Sequence, residues 1–317
     1  MAGLTLENLG VLFRDDEMRR LFAVRDISLT LPEASITCLV GESGCGKSLT
    51  ARACMGLAPR KSELLGRVLW NDKNLLELSE REWQKLRGNR MAMIFQEPMT
   101  ALNPVLKVGV QAAEPLRYHK GLGKAEAREK VTELFSQVGI PSPEERYELY
   151  PHELSGGMRQ RVMIAMALSC EPEILLADEP TTALDATIQG QILAILEEQC
   201  SRRGMAVLLI THDLGVVART AERVGVMYAG HLVEWGSVAE VLQNPAHPYT
   251  RGLMACDPAR VEAGTRLPVI AGTVPPLGAM PAGCPFHPRC PQATDICKRE
   301  APCQKSSGEH RVWCHLA

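Results

Sequence analysis

The sequence is poor in aromatic residues, which make up 4% of its 317 positions, and it has no apolar run near the ~20 residues that a membrane-spanning helix requires. Its formal net charge is −2, so it lacks the general basic surface that favours nucleic acid. Residues 1–7 lack the charged and then apolar pattern of a secretory signal peptide. These absences predict a cytoplasmic protein that would reach a membrane only through partner subunits.

What the sequence contains is the composition of an ordinary globular protein, with 45% hydrophobic and 23% charged residues. A chain of this length can form one sizeable α/β domain with additional modules. Its 11 cysteines are unevenly distributed. Six are isolated and predict reduced intracellular thiols, whereas the others crowd into residues 284–314.

The most informative stretch is residues 41–48, which fit the pattern G-x-x-x-x-G-K-[ST]. They follow the apolar run 36–40 and precede a helix-prone segment, which is the strand–loop–helix context of a phosphate loop. Lys47 would reach the β- and γ-phosphates and Ser48 would hold Mg²⁺. A chance match has odds on the order of 1 in 100, so the pattern predicts a nucleoside triphosphate site. The residues predicted to bind the nucleotide here are Gly41, Ser43, Gly44, Cys45, Gly46, Lys47, Ser48 and Thr50.

Two acidic residues follow a second apolar run, at residues 174–177. A strand buried on both faces would bring Asp178 to the Mg²⁺ ion. Glu179 would then be placed to polarise the water that attacks the γ-phosphate. Two acids at the end of a strand can also form an exposed turn, but the phosphate loop favours the catalytic interpretation.

Single polar residues follow two further apolar runs. Gln96 comes after residues 91–95 and would contact Mg²⁺ or the attacking water, although such a residue taken alone is more often part of a loop. His212 comes shortly after residues 206–210. Because ligands of open α/β sheets bind at the carboxyl ends of the strands, His212 is a candidate for a hydrogen bond to the γ-phosphate.

Residues 97–154 lose the β pattern and predict a helical insertion, the kind of segment that carries partner contacts. Ser155-Gly156-Gly157 then opens a long helix. It would form a second anion site, unless the serine is only an N-cap followed by flexible glycines. Alternation over residues 1–40 predicts a small antiparallel sheet. Within it Phe13, or else Phe22, could stack on a nucleobase or serve as a core aromatic.

Taken together, these motifs resemble the ATP-binding subunit of an ABC transporter over residues 1–240. The matching motifs are Walker A at 41–48, Gln96 of the Q-loop, the signature at 154–158, Walker B at 174–178 with Glu179, the D-loop at 183–185 and the switch histidine His212. The resemblance implies an α/β P-loop NTPase. Its RecA-like core would carry an antiparallel β subdomain and an inserted helical subdomain at about 97–154.

The resemblance also implies a mechanism with ATP and Mg²⁺. Two ATPase subunits, usually paralogues, pair head to tail, so Ser155 and Gly157 would contact the partner's nucleotide. Glu179 would be the general base, with Gln96 and His212 around the γ-phosphate. Two membrane permease subunits would contact the helical insertion, and an extracytoplasmic solute-binding protein would act indirectly. These partners predict a peripheral position on the cytoplasmic face of the inner membrane, without nucleic acid.

Residues 241–317 resemble the C-terminal extension of peptide-type importers. Residues 244–250 are similar to a segment found in dipeptide, oligopeptide and nickel importers, and the cysteine-bearing tail favours the peptide type. We therefore expect an ATPase domain at 1–240, an extension at 241–317 and import of di- or oligopeptides. Import of nickel or another small solute is one alternative. A soluble ABC ATPase acting on nucleic acid is another, from a different class.

The tail from residue 257 is rich in proline and glycine and shows little periodicity. Such a segment cannot bury enough apolar surface to fold alone, and four thiolates around a metal centre would stabilise it. Its spacing C-x5-C-x6-C-x16-C lacks the tight cysteine pair of zinc sites and suits an iron–sulfur cluster better. The resemblance points to a [4Fe–4S] cluster, with Cys303 as an extra thiol. Zinc and no metal are the alternatives. The predicted ligands are Cys284, Cys290, Cys297 and Cys314.

Overall fold

The computed structural model describes residues 2–97, 101–181, 184–258 and 268–317. Strands in these ranges are β1 (Ala2–Arg14), β2 (Arg20–Pro32), β3 (Ile36–Val40), β4 (Glu63–Trp70), β5 (Lys73–Asn74), β6 (Met91–Ile94), β7 (Ile174–Asp178), β8 (Ala206–Ile210), β9 (Arg223–Tyr228), β10 (His231–Ser237), β11 (Gln304–Ser307) and β12 (His310–Trp313). Helices are α1 (Lys47–Cys54), α2 (Glu80–Leu86), α3 (Val108–Lys120), α4 (Lys124–Gln137), α5 (Pro143–Tyr147), α6 (Gly156–Leu168), α7 (Ala186–Arg203), α8 (Leu214–Thr220), α9 (Val238–Gln243), α10 (Pro248–Ala255) and α11 (Asp295–Arg299).

The chain forms two compact units. The first consists mainly of Glu77–Leu209. In it, β6 lies beside β7 and β7 beside β8, and β6 and β7 are parallel. All residues of these strands are buried, as expected of parallel strands covered on both faces. The predicted apolar runs are therefore strands, and β6 ends at Ile94, one residue earlier than expected.

The helical insertion of the first unit is formed by α3, α4 and α5. Helices α3 and α4 pack on each other and on α6, and α4 buries Ala127, Val131 and Phe135. Helix α5 begins at Pro143, and Ser142 before it makes no capping hydrogen bond with its side chain. A φ of 46° places Ser142 in the left-handed region, unlike the extended conformation usual at an N-cap.

The second unit consists of Leu4–Thr30, Thr37–Leu76 and Ile210–Ala317. One of its sheets has the order β2-β1-β4-β5, with antiparallel pairing of β1 with β4 and of β4 with β5. A second set of strands has the order β11-β12-β10-β9-β3. Here β3 and β9 are parallel and the other pairs are antiparallel. The phosphate loop connects β3 to α1, which is the context that the sequence predicted.

The tail is more regular than its sequence suggested. Residues after 268 form α11, β11 and β12, and β12 pairs with β10, with Glu234 opposite Val312. Helices α10 and α11 follow α9 in this part of the chain. The strands β11 and β12 have four residues each. A period of two is hard to recognise over such short runs, which explains the difference.

Candidate nucleotide-binding site

The loop between β3 and α1 is bent at its glycines. Gly41, Gly44 and Gly46 have φ values of 148°, 77° and 102°, which L side chains rarely adopt. At Gly41 a β carbon would lie 2.2 Å from the carbonyl oxygen of Met227 on β9. The close approach of this strand therefore requires glycine. The resulting turn has the backbone geometry that an anion nest needs.

The side chains of this loop differ in exposure. Ser43 and Gly44 at its tip are exposed, whereas Cys45 is fully buried. Burial raises the pKa of the Cys45 thiol above its ordinary value. The cysteine therefore packs as a small apolar residue, and the tip offers its backbone to a ligand.

Lys47 is 6% exposed and lies against the start of the loop. Its Nζ donates to the carbonyl oxygens of Gly41 at 2.7 Å and Glu42 at 3.0 Å. Ser48 is half-buried in the first turn of α1. Thr50 donates its hydroxyl at 2.9 Å to the loop carbonyl four residues earlier. The ammonium group and the loop backbone are thus held together.

The outer side of the loop carries two contacts that sequence reasoning missed. The amide of Glu42 donates to the hydroxyl of Tyr249 at 2.9 Å. The carboxylate of Glu42 accepts two hydrogen bonds from the guanidinium of Arg289, at 2.6 and 2.9 Å. This carboxylate raises the pKa of Arg289 above its ordinary value. No periodicity connects positions 42, 249 and 289, so the sequence carries no signal for these contacts.

His212 lies in the same unit as the phosphate loop and is exposed. The amide of Thr211 donates to the carbonyl of Leu39, near the end of β3, at 3.4 Å. Asp213 caps α8 by accepting two backbone hydrogen bonds at 2.8 and 3.1 Å. The histidine is thus fixed between two anchored neighbours, close in the sheet to the strand that enters the loop.

The two aromatic candidates for base stacking have different surroundings. Phe13 is half-buried near the end of β1. Phe22 on β2 lies under two guanidinium groups, those of Arg20 at 5.4 Å and Arg25 at 5.1 Å from the ring centre. Since cations already occupy the surroundings of Phe22, Phe13 stays the preferred prediction.

In the first unit, the two predicted acids lie at the end of β7, where Asp178 is the last residue of the strand and Glu179 follows it. Asp178 is 1% exposed. Glu179 is half-buried, with a φ of 47°. On the neighbouring strand β6, Ile94 pairs with Ala177 in parallel register. Gln96 follows β6 and is exposed. Parallel strands end at the same edge of a sheet, so Gln96 and both acids extend from one edge of this unit.

The signature segment is at the start of α6. Ser155 is the N-cap, and its hydroxyl accepts a hydrogen bond from the amide of Met158 at 3.3 Å. Ser155 and Gly156 are exposed, so the start of this helix is accessible to solvent. Gln160, one turn later, donates to the carbonyl of Pro180 at 2.7 Å. The signature helix is therefore connected to the residue that follows Glu179.

The D-loop lies next to this helix. A β carbon at Gly157 would lie 3.3 Å from Cδ2 of Leu184. Asp185 caps α7 by accepting a hydrogen bond from the amide of Ile188 at 2.9 Å. Ala183, the first residue of the predicted D-loop, lies outside the described residues.

The cysteines of the tail differ in their exposure and in their neighbours. All are free. Cys284 is buried and its pKa is raised to about 11, first by burial and then by the neighbouring thiols of Cys297, Cys314 and Cys290. Cys303 is exposed and is absent from these neighbours. Over the described ranges, no three metal-ligating side chains lie close enough to hold a single metal ion.

Comparison with protein families shows which family the chain belongs to. The family model described as "ABC transporter" matches residues 24–182. The chain belongs to the ABC transporter family. A second model, "Oligopeptide/dipeptide transporter, C-terminal region", matches residues 233–297. The Walker A loop of this ABC protein lies in one unit, and its Walker B and signature segments lie in the other.

Characterised relatives span most of the chain. It is 50% identical over 297 residues to the dipeptide transport ATP-binding protein DppD of Bacillus subtilis, covering 93% of this chain and 89% of that protein. It is 47% identical over 285 residues to the oligopeptide transport ATP-binding protein OppD of Salmonella typhimurium, covering 90% and 85%. A solved dimer of the ATP-binding cassette MJ0796 with ADP and Pi superposes with a TM-score of 0.68 at 26% identity, covering 74% of this chain and 98% of that one.

An ABC ATPase uses ATP and Mg²⁺, and the residues fit both. The loop glycines leave the backbone amides at the tip accessible. Each unit carries an oxygen group of the kind that Mg²⁺ prefers, the hydroxyl of Ser48 in one and the carboxylate of Asp178 in the other. None of the helices described is long and apolar enough to cross a membrane.

Proposed function

We propose that this chain is the ATP-binding and ATP-hydrolysing subunit of a membrane importer of di- and oligopeptides. The observation that carries the proposal is the match to the oligopeptide/dipeptide transporter C-terminal region, next to an ABC transporter match, in one chain. Relatives named for dipeptide and oligopeptide transport support the same conclusion. The alternatives, import of nickel or action on nucleic acid, have no comparable support.

The predicted site residues would have different roles in ATP hydrolysis. Lys47 and the loop amides would bind the phosphates, and Ser48, Asp178 and Gln96 would hold Mg²⁺, which neutralises phosphate charge. Glu179 would accept a proton from the attacking water. His212 would hydrogen-bond the γ-phosphate. The remaining predicted contacts, through Thr50 and Phe13, would help to position the nucleotide.

The second anion site would serve another subunit. Ser155 and Gly157 lie at the start of α6, where the helix is accessible to solvent, and helix N-termini bind anions. In a head-to-tail pair they would contact the nucleotide of a second ATPase subunit, which we expect to be a paralogue. Such pairing would make each ATP site depend on both chains.

The chain would act at the cytoplasmic face of the inner membrane through two permease subunits. The helical subdomain at about 97–154 would contact them, and an extracytoplasmic solute-binding protein would deliver the peptide. We assign an ATPase domain with RecA-like core and antiparallel β subdomain to residues 1–240, and a cysteine-rich extension to 241–317. With a net charge of −2, the chain has no electrostatic reason to bind nucleic acid.

We also propose a [4Fe–4S] cluster on Cys284, Cys290, Cys297 and Cys314. Burial first, and then the thiols of Cys297 and Cys314, raise the pKa of both Cys284 and Cys290, which supports a cluster of four thiols. Backbone amides hydrogen-bond the sulfurs of Cys284 and Cys290. A single zinc ion would need its sulfurs about 4 Å apart. A four-iron cluster holds its four thiols farther apart than a zinc ion does, which agrees with the wide spacing of these cysteines in the sequence. Bound there, it would cross-link the extension.

The experiment combines Glu179→Gln with uptake of labelled peptide. In cells that depend on this transporter, the variant should bind ATP normally while hydrolysis falls about 10²–10⁴-fold and uptake of a labelled dipeptide and tetrapeptide stops. Glu197→Gln, at an exposed position of α7, is the matched control and should behave like the wild type. Near-normal hydrolysis by Glu179→Gln would remove Glu179 as the base. Uptake of nickel but not peptide would establish the alternative substrate.

A further inference from the structure

We propose that Arg289, in the cysteine-bearing tail, is a positioning residue for ATP binding, because it neutralises and holds Glu42 of the phosphate loop. Both residues lie in the same compact unit, although 247 positions separate them in the chain. The pair is a two-point contact between a planar guanidinium and a carboxylate. This geometry is the strongest form of side-chain ion pairing.

The environment of Arg289 is built for an arginine. Its side chain is 4% exposed, so the charge is removed from solvent screening. Nε donates to the carbonyl of Ala271 at 2.8 Å, and one terminal nitrogen donates to that of Ile270 at 3.2 Å. The other reaches the hydroxyl of Tyr228 at 3.4 Å. Every nitrogen of the guanidinium has an acceptor, which a lysine could not reproduce.

The negative charge of Glu42 is unfavourable for binding a triphosphate, and Arg289 neutralises it. A carboxylate in the loop that receives a triphosphate repels the ligand, and the repulsion is strong in a partly buried site. Glu42 is half-buried, and Lys47 contacts only its backbone carbonyl. Arg289 contributes the compensating positive charge directly to the carboxylate. It thereby leaves the charge of Lys47 for the phosphates.

The same contacts fix the position of the loop. Tyr249 of α10 holds the amide of Glu42, and Tyr249 packs edge-on against Tyr228 with ring centres 4.8 Å apart. Phe286 of the tail joins the two rings at 5.1 and 5.3 Å. The first residues of the loop are thus clamped from outside by an aromatic cluster with Arg289 at its edge.

Arg289 is in turn positioned by the fold of the tail. Its amide donates to the carbonyl of Phe286 at 3.0 Å within a 3₁₀ turn. The amide of Cys284 donates to the carbonyl of Cys297 at 2.8 Å, closing the segment that contains this turn. Tail and nucleotide site are therefore thermodynamically coupled. ATP must stabilise the tail by the same free energy by which Arg289 improves ATP binding.

The test is a double-mutant cycle on the full chain, with Kd for Mg·ATP and hydrolysis rate measured for each variant. Arg289→Met should raise Kd about 10-fold or more, with kcat at saturating ATP within about 2-fold of wild type. Glu42→Gln should change Kd little. It removes the carboxylate charge that repels the phosphates, and without that charge Arg289 has nothing to neutralise. The combined Arg289→Met and Glu42→Gln variant should bind ATP within about 3-fold of Glu42→Gln alone. Arg289→Lys should fall between wild type and Arg289→Met.

Arg299→Met, at an exposed site of the same tail, is the matched control and should leave Kd unchanged. The proposal is overturned if Arg289→Met binds ATP like this control. It is also overturned if the double variant binds no better than Arg289→Met, since Arg289 would then be only a packing residue. If Arg289→Met does not fold, Arg289→Lys alone and with Glu42→Gln gives the same comparison.

Hydrogen exchange provides a readout that does not depend on hydrolysis. Mg·ATP should slow exchange of the backbone amides in residues 284–300 of the wild-type chain, because the coupling is reciprocal. In Arg289→Lys this protection should shrink in proportion to the loss of affinity. Equal protection in both proteins would contradict the proposed route through Arg289.

Discussion

His247 shows how a single side chain can determine a pH response. It is 1% exposed, and its Nδ1 accepts a hydrogen bond from the amide of Tyr249 at 3.0 Å, capping α10. Burial lowers the pKa of His247 to about 3. Protonation would therefore remove the cap and place a charge in the interior. Since α10 supplies the tyrosine that holds Glu42, this cap belongs to the support of the phosphate loop.

We expect the free energy of unfolding to fall as pH decreases from about 6.5 toward 3. In that window the unfolded chain binds the proton and the folded chain does not, so acid favours unfolding. The loss should be on the order of 1 kcal/mol for each pH unit per histidine. His247→Asn, which keeps an acceptor but does not titrate, should flatten the slope in urea unfolding measured at several pH values.

His231 also contributes to the pH dependence of the free energy of unfolding, because burial lowers its pKa to about 4. The flattening by His247→Asn should therefore be partial. His152→Asn, at an exposed position, is the control and should keep the wild-type slope. An unchanged slope in His247→Asn would show that this histidine does not govern acid stability.

At the level of residues, the sequence predicted best where function imposes a local pattern. Lys47 and its glycines are contiguous, so one motif identified them. Arg289 and Glu42 are joined only by the fold. An arginine between two cysteines and a glutamate within a glycine-rich loop have no shared spacing, and their pairing was therefore not predictable.

Among the elements, the helical insertion depends on one close helix contact. A β carbon at Gly109 of α3 would lie 2.1 Å from Cγ of Tyr147 in α5. The glycine therefore allows the tyrosine ring to lie directly on the helix backbone. Tyr147 is 5% exposed, so the ring has little room to move away.

Gly109→Ala should lower the free energy of unfolding by about 1–3 kcal/mol, because overpacking forces the ring or the helix to shift. Gly190→Ala in α7 is the control, since a β carbon there meets nothing within 4 Å. It should be neutral or stabilising by up to about 1 kcal/mol. Urea unfolding of the full chain measures both. Equal stability of the two variants would contradict the contact.

A local sequence pattern marks the start of two helices. Ser79 and Ser237 each precede a helix and have a glutamate three residues later, and both pairs form a capping box. In α7, Ile192, Leu193 and Leu196 are buried, whereas Ile188 and Ile195 are only half-buried. The neighbours of a helix decide such details, and they are not visible in its own sequence.

In the whole molecule, the cysteine tail is integrated into the second unit rather than appended to it. Glu234 of β10 is fully buried and accepts hydrogen bonds from the amides of Ala246 and His247 at 2.7 and 3.0 Å. His310 of β12 lies 2.8 Å from the same carboxylate. One side chain thus connects the ATPase sheet, the start of α10 and the tail. The sequence could not predict this, because the three segments are far apart in the chain.

Anaerobically purified protein should be brown and contain about four iron atoms per chain. Cys290→Ser should lose the colour and make residues 268–300 more sensitive to protease, since the cross-link of the extension would be lost. Cys303→Ser, the matched control, should keep both properties. A colourless anaerobic preparation with stoichiometric zinc would contradict the cluster, as would equal loss of iron in both variants.

The pairing of β10 with β12 also has a consequence for protein synthesis. A ribosome adds about 5–20 residues per second, so β12 emerges on the order of ten seconds after β10. During that interval β10 is an open sheet edge, and open edges pair with other chains. A buried charge on such an edge discourages pairing. Glu234, which anchors the tail in the finished protein, would therefore also discourage pairing of β10 with other chains until β12 has been synthesised.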